Sequence, residues 1–294
     1  MAENAVNITE EMPKKRGLWV NAWKRMRRNK RAMLGMYVMI LILVLAILAP
    51  VIAPYGFDDQ VLTETFQSPS LKHLCGTDNF GRDVFSRLLY GGRISLMLGL
   101  IAVMVSTIVG IIVGAVAGYY GGAVDNVIMR LVDIMQSVPS ILLAIAIAST
   151  LGGSMVNCMI AIGISSVPLN ARLMRGMMLS VRQNEYVEAA KCANASDARI
   201  MFREIIPNAM SPMIVNMTLG YASALLNAAA LSFIGLGAQP PSPEWGAMIT
   251  AGKTYITKYP YLITAPGVAI MLTVIALNLF GDGIRDALDP KMKQ

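Results

Sequence analysis

The chain has 294 residues, of which 55% are hydrophobic and 15% charged, and it carries a net charge of +7. That balance excludes a soluble single-core domain, in which about a quarter of residues are charged. It also lacks a Gly-x-x-x-x-Gly-Lys-Ser/Thr phosphate loop, a metal-ligand cluster and a nucleophile–base set, so it is expected to be non-catalytic, with no cofactor of its own.

Residues 1–17 are polar and aperiodic and are expected to be loosely ordered. From Leu18 to Arg28, Trp19, Trp23 and Met26 share one helical face and cations the other, which predicts a helix lying on the inner leaflet. Charge-free tracts at 32–57, 94–124, 134–171, 205–243 and 259–281 each exceed the roughly 20 residues needed to cross hydrocarbon. The third holds parts of two spans, divided at Gly152-Gly153. Six transmembrane helices are therefore predicted, near 33–54, 94–118, 126–150, 154–178, 208–231 and 261–281, in an all-α, polytopic membrane protein. The first apolar run is too long for a signal-peptide core and lacks a cleavage site, so it reads as an uncleaved anchor.

With both termini in the cytoplasm, 19 of the 25 Lys and Arg fall inside and six outside, as the positive-inside rule requires. The basic excess is thus an orientation device, and no nucleic-acid partner is expected. Cys75, Cys158 and Cys192 fall outside, within a span and inside, which implies no disulfide framework. The 22 methionines scatter through apolar tracts as packing residues.

After the first span, Val84, Phe85, Leu88 and Leu89 oppose Arg82, Asp83, Ser86 and Arg87, which predicts a helix at the outer interface. His73, the only histidine, is read as a solvated loop residue. Gly110, Gly114 and Gly118 repeat at four-residue spacing and predict a close helix–helix seam. Arg130 and Asp133 lie one turn apart and are expected to pair, and Pro139 to kink or restart the third span. On the fifth span, Asn216, Gly220, Ser223 and Asn227 form one polar stripe, either lining a path through the membrane or bonding to a neighbouring helix.

Between the fourth and fifth spans lies the largest charged island, from Glu185 to Pro207. It reads as two short helices with a corner at Asn194, a residue that tolerates left-handed geometry. Ser196 is expected to cap the second helix, and Pro207 to end it so that the next span begins afresh.

Glu188-Ala189-Ala190, Asn194 and Ile206-Pro207-Asn208 resemble the Glu-Ala-Ala loop of ATP-binding-cassette import permeases, with Asn194 where Gly is usual and Glu204 where His is common. Gly76-Thr-Asp78, Gly81-Arg-Asp83, Ala171-Arg-Leu-Met-Arg-Gly176 and the runs 231–246 and 281–290 are similar to the dipeptide, oligopeptide and nickel branch, with Cys75 in place of Leu and Asn170 in place of an aromatic residue. The resemblance implies the type I importer permease fold, in a bacterial cell membrane. It divides the chain into a basic N-terminal segment (1–31), a first span with an outer segment (32–93) and a five-helix core (94–294) with its coupling loop at 180–207. It assigns ATPase docking to Glu185, Tyr186, Glu188, Ala189, Ala190, Asn194, Asp197, Arg199 and Pro207, and substrate lining to Asn216, Gly220, Ser223 and Asn227. It implies as partners a second homologous permease chain, two ATPases that bind the ATP, and an extracytoplasmic substrate-binding protein. Peptide is the expected substrate, with nickel complexes or glutathione as alternatives. A self-sufficient ion-coupled carrier would need ionisable groups within its spans, which the charge-free tracts lack.

Overall fold

Asn29 opens the membrane part of the chain: its side-chain oxygen accepts from the backbone N–H of Arg31 and Ala32 and so separates α1 (Leu18–Arg28) from α2 (Lys30–Ile47). The structure, a computed structural model, describes residues 18–288, with side chains from Trp23 onward; the reading of residues 1–17 lies outside them. One further turn, α3 (Ala49–Ile52), ends at Ala53, where Pro54 forbids continuation.

The longest helix, α4 (Val84–Tyr120), has 37 residues. At 1.5 Å per residue it is about 55 Å long and must project beyond a hydrocarbon layer of about 30 Å. The expected interfacial helix is instead the first turns of α4. Val84 and Leu89 are buried, but so are Arg82, Asp83, Ser86 and Arg87, because other segments cover both faces.

A glycine at 121 with φ of 67° turns the chain into α5 (Gly122–Gln136), and Pro139 breaks it from α6 (Ser140–Leu151). The two meet at 88°, so the third span is a broken one, restarted at Pro139 as expected. Next come α7 (Met155–Val181), α8 (Glu185–Cys192), α9 (Asp197–Arg199), α10 (Ile206–Phe233), α11 (Trp245–Gly252) and α12 (Tyr261–Leu288). Among the described residues five helical stretches are long and apolar enough to span a membrane, and the α5–α6 pair makes six when counted as one.

Pro207 does not end the helix. A π-helical turn, Ile200–Ile205, bridges α9 to α10, and the Ile206 N–H reaches back to the Met201 carbonyl. The proline then occupies the first turn of α10, where its missing N–H leaves no gap.

The core lies between α4, α7 and α10, and the glycine seam is as predicted. A Cβ at Gly114 would stand 2.2 Å from the Ala171 carbonyl oxygen, and one at Gly110 2.3 Å from the Asn170 Cβ. Only glycine lets α4 and α7 approach this closely. The expected Arg130–Asp133 pair is replaced by pairs across helices: Asp133 with Arg172, and Asp125 with both arms of Arg175. A partner on α7 wins because it also staples α5 to the core. Helix α1 does more than float on a leaflet, since Met26 is buried against Ala32 and Ala287 while Trp23 remains exposed.

Candidate functional site

All four residues of the polar stripe, Asn216, Gly220, Ser223 and Asn227, line one cavity of about 460 Å³. Its other walls are α4 at Ser106, the α5–α6 break at Gln136 and Ser140, and α7 at Ser165, Ser166 and Asn170. Broken backbone within a membrane span is tolerable where it borders such a polar hollow, because its carbonyls then need no lipid contact. Among the described residues no charged side chain lines this cavity. Its polar groups are amides and hydroxyls set among apolar side chains such as Val103, Ile162 and Leu219, which orient a polar solute without a counter-charge to trap it.

The stripe both lines the hollow and bonds to a neighbour. The Asn216 side chain donates to Asn170 Oδ1 at 2.7 Å, and the Asn170 amide donates to Ser106 Oγ at 3.2 Å. This chain of three ties α10 to α7 and α7 to α4. The sequence reading did not assign Asn170 to the cavity. Asn at 170 in an apolar span was the available signal, since a buried amide in lipid needs partners.

The charged island folds as two helices with the corner at Asn194, whose φ is 55°. Ser196 Oγ accepts from the Arg199 N–H, as predicted for a cap. Val187, Ile200 and Ile205 are fully buried against α7 and α10, so the loop is anchored by one face. The other face carries Glu185, Tyr186, Glu188, Ala189, Asn194, Arg199 and Pro207, all exposed, while Ala190 is half-buried. Asp197 is exposed and accepts a 2.7 Å hydrogen bond from the Tyr119 hydroxyl at the end of α4. Arg182 donates to the carbonyls of Gly118 and Tyr119. The loop is thereby bolted to α4, α7 and α10, the helices that wall the cavity.

Residues 110–294 match the family described as binding-protein-dependent transport system inner membrane component, and residues 17–69 match the N-terminal transmembrane domain of oligopeptide transport permease C. The chain belongs to this permease family. It is 46% identical over 275 residues to a dipeptide transport system permease protein of Alkalihalophilus pseudofirmus, covering 94% of this chain and 90% of the relative. It is 44% identical to a di/tripeptide transport system permease protein of Pseudomonas aeruginosa, covering 92% and 91%. A glutathione transport system permease protein of Shigella flexneri is 46% identical, covering 94% and 91%. The fold is similar to a chain of the inward-facing MetNI methionine ABC transporter, at a TM-score of 0.56 and 17% identity, covering 69% of this chain and 97% of that one.

In this permease the segment between α3 and α4 is a folded cap rather than a loose loop. Gly81, at φ of 71°, lies so near Val61 that a Cβ would stand 1.9 Å from its carbonyl oxygen. Asp78 accepts from the N–H of Phe80 and Arg82 and pairs with the Arg82 side chain at 2.7 Å. Asp83 caps α4 at Ser86 and holds His73 Nδ1 at 2.9 Å. His73 is therefore not solvated: it is 3% exposed, stacks on Tyr55, and meets Glu64 through Nε2 at 3.1 Å. Lys72 and His73 beside Glu64 hold that carboxyl below its usual range. Burial, with Asp83 nearby, pushes the Cys75 thiol up.

The proline-rich run before α11 packs against protein. Glu244 is buried, caps α11 at Gly246 and Ala247, and accepts from Ser95 of α4 at 3.1 Å. The Trp245 indole donates to the Leu88 carbonyl at 2.9 Å.

Proposed function

We propose that this permease forms half of the translocation path of an ATP-driven importer of di- or oligopeptides in the bacterial cell membrane, with both termini in the cytoplasm. The observation that carries this reading is the connection between the neutral polar cavity and the anchored loop: one rigid set of helices, α4, α7 and α10, walls the first and holds the second. Motion of the loop must then reshape the cavity. The relatedness to dipeptide and di/tripeptide permeases over nearly the whole chain supports peptide as cargo. Amide and hydroxyl walls suit peptide N–H and C=O groups and offer no imidazole, thiol or carboxylate with which to hold a nickel ion.

The second permease chain faces this one across the path, one of the two ATPases docks on the exposed face of α8 and the other on the second chain, and a binding protein delivers substrate to the outer cap. The chain itself is non-catalytic and needs no cofactor, since ATP is bound by the ATPases. Glu185, Tyr186, Glu188, Ala189, Ala190, Asn194, Asp197, Arg199 and Pro207 form or orient the docking surface in a helix-in-groove contact. ATP-driven closure shifts that contact and drives alternating access. A neutral cavity has no group on which an ion could be exchanged, which favours this external energy source over ion coupling.

The test is uptake of a labelled dipeptide into proteoliposomes holding the complete transporter and its binding protein. ATP-dependent accumulation is expected, and accumulation that follows an imposed ion gradient without ATP would overturn the reading. Glutathione and nickel as competitors identify the cargo.

A further inference from the structure

A second cavity, of about 650 Å³, continues the groove between α7 and α10 toward the end that carries the charged island. It shares Asn216 and Leu219 with the central cavity and is closed on its third side by Arg285 of α12. Arg285 is the one charged residue lining either cavity among the described residues. Arginines that meet another helix or the cap are matched elsewhere in the fold: the buried Arg82 by Asp78 and Arg87 by the Phe57 carbonyl, the half-buried Arg175 by Asp125, and the exposed Arg172 by Asp133. Arg285 is exposed at the rim of the groove and has no ion pair or hydrogen bond among the described residues, and the adjacent Asp286 accepts from Asn29 instead.

An unpaired guanidinium at the end of an otherwise neutral groove is a receptor for a planar anion, because its fork matches a carboxylate in two parallel hydrogen bonds. Two amides along the groove, Asn216 and, nearer the start of α10, Asn208, supply the complementary half. Asn208 donates to the Glu204 carbonyl at 2.6 Å and Asn216 to Asn170, so both keep side-chain oxygens as acceptors for an ammonium or a peptide N–H. The volume lies within the range of small-molecule sites.

We propose that Arg285 with Asn208 and Asn216 forms an inner subsite that takes the carboxylate end of a short peptide before its release to the cytoplasm. This rests on the reading of the chain as a peptide permease. A single cation at the inner mouth gives the groove a polarity, drawing the carboxylate inward from a cavity that has no charge of its own.

The experiment uses the complete transporter in proteoliposomes whose permease cytoplasmic face is exposed to the lumen. The lumen is loaded with millimolar Ala-Ala or with Ala-Ala amide, and the initial rate of labelled dipeptide uptake is measured. In the wild type the free acid is expected to inhibit at roughly tenfold lower concentration than the amide, the lower end of the scale of one charge-assisted hydrogen bond. Arg285→Gln should abolish that acid-to-amide ratio and Arg285→Lys should retain much of it. A ratio of one in the wild type, or an unchanged ratio in Arg285→Gln, overturns the subsite. Loss of ATPase subunits from Arg285→Gln with the ratio intact would make Arg285 an interface residue instead. Inorganic phosphate in the lumen is a third arm: inhibition equal to that of the free acid would show a general anion site and overturn the peptide assignment. Absence of any ATP-driven peptide uptake by the wild type would instead sink the peptide reading, and this inference with it.

Discussion

Asn216 of α10 donates its side-chain amide to Asn170 of α7 at 2.7 Å, and both residues border the same cavity. The bond spans 46 residues of sequence and joins one wall of the cavity to the helix that leads into the charged island.

Asn216→Leu removes the donor but leaves Asn170 its bond to Ser106, so the fold should survive with a loss of about 1 kcal/mol. Uptake should fall by more than assembly does. Asn170→Leu is more severe, since Asn170 is 4% exposed and lies against Gly110. Purifying both variants and comparing complex yield with transport separates the two; equal loss of assembly in both would make the pair a packing seam only.

The corner at Asn194 has φ of 55°, so Asn194→Val should strain the loop by about 1–3 kcal/mol and Asn194→Gly should be tolerated. Glu188→Lys, on the exposed face of α8, should weaken ATPase retention without unfolding the permease. ATPase turnover, subunit retention and uptake are measured together. Normal coupling in Asn194→Val and Glu188→Lys would remove the loop from the transmission.

Tyr119→Phe deletes the hydrogen bond to Asp197 while leaving the ring, and should lower the stability of the loop by about 1 kcal/mol. The expected sign is hydrolysis less tightly tied to uptake. Hydrogen exchange over residues 185–205 reads the loosening directly, and unchanged protection would show that the bond carries no load.

Orientation is checked by thiol labelling. Leu71, fully exposed on the cap, should report from outside as Leu71→Cys, and the exposed Cys192 from inside. Cys75 is a poor reporter, because burial raises its thiol and thins the reactive thiolate. The reverse sidedness would invert the topology.

The cap should loosen in acid. Glu64 is depressed by Lys72 first and by His73 second, so its contribution is complete above the ordinary carboxylate range and disappears as pH falls through its lowered folded value. Limited proteolysis of the 58–80 segment from outside should accelerate below that range, and Glu64→Gln should cleave fast at every pH. A flat pH profile in the wild type would argue against the latch.

Local chemistry alone determined a good deal of this. Span positions followed from runs of uncharged residues longer than hydrocarbon is thick. The break at Pro139, the left-handed corner at Asn194 and the cap at Ser196 followed from backbone preferences that each residue carries wherever it sits. The glycine seam was legible for the same reason, as a four-residue spacing on one helix. Only the tertiary structure decided which groups meet. His73 is buried because Glu64 and Asp83 converge on it from a 3₁₀ turn and from the cap of α4, and Asp133 chose Arg172, 39 residues away, over Arg130 in its own helix. Pro207 entered a continuous helix because the π turn before it re-paired the backbone. Asn170 became the centre of a polar chain, and Arg285 the one cation lining the groove among the described residues, through neighbours supplied by other helices. A pattern along one segment states what that segment prefers; the partner a side chain finds is set by how the helices pack.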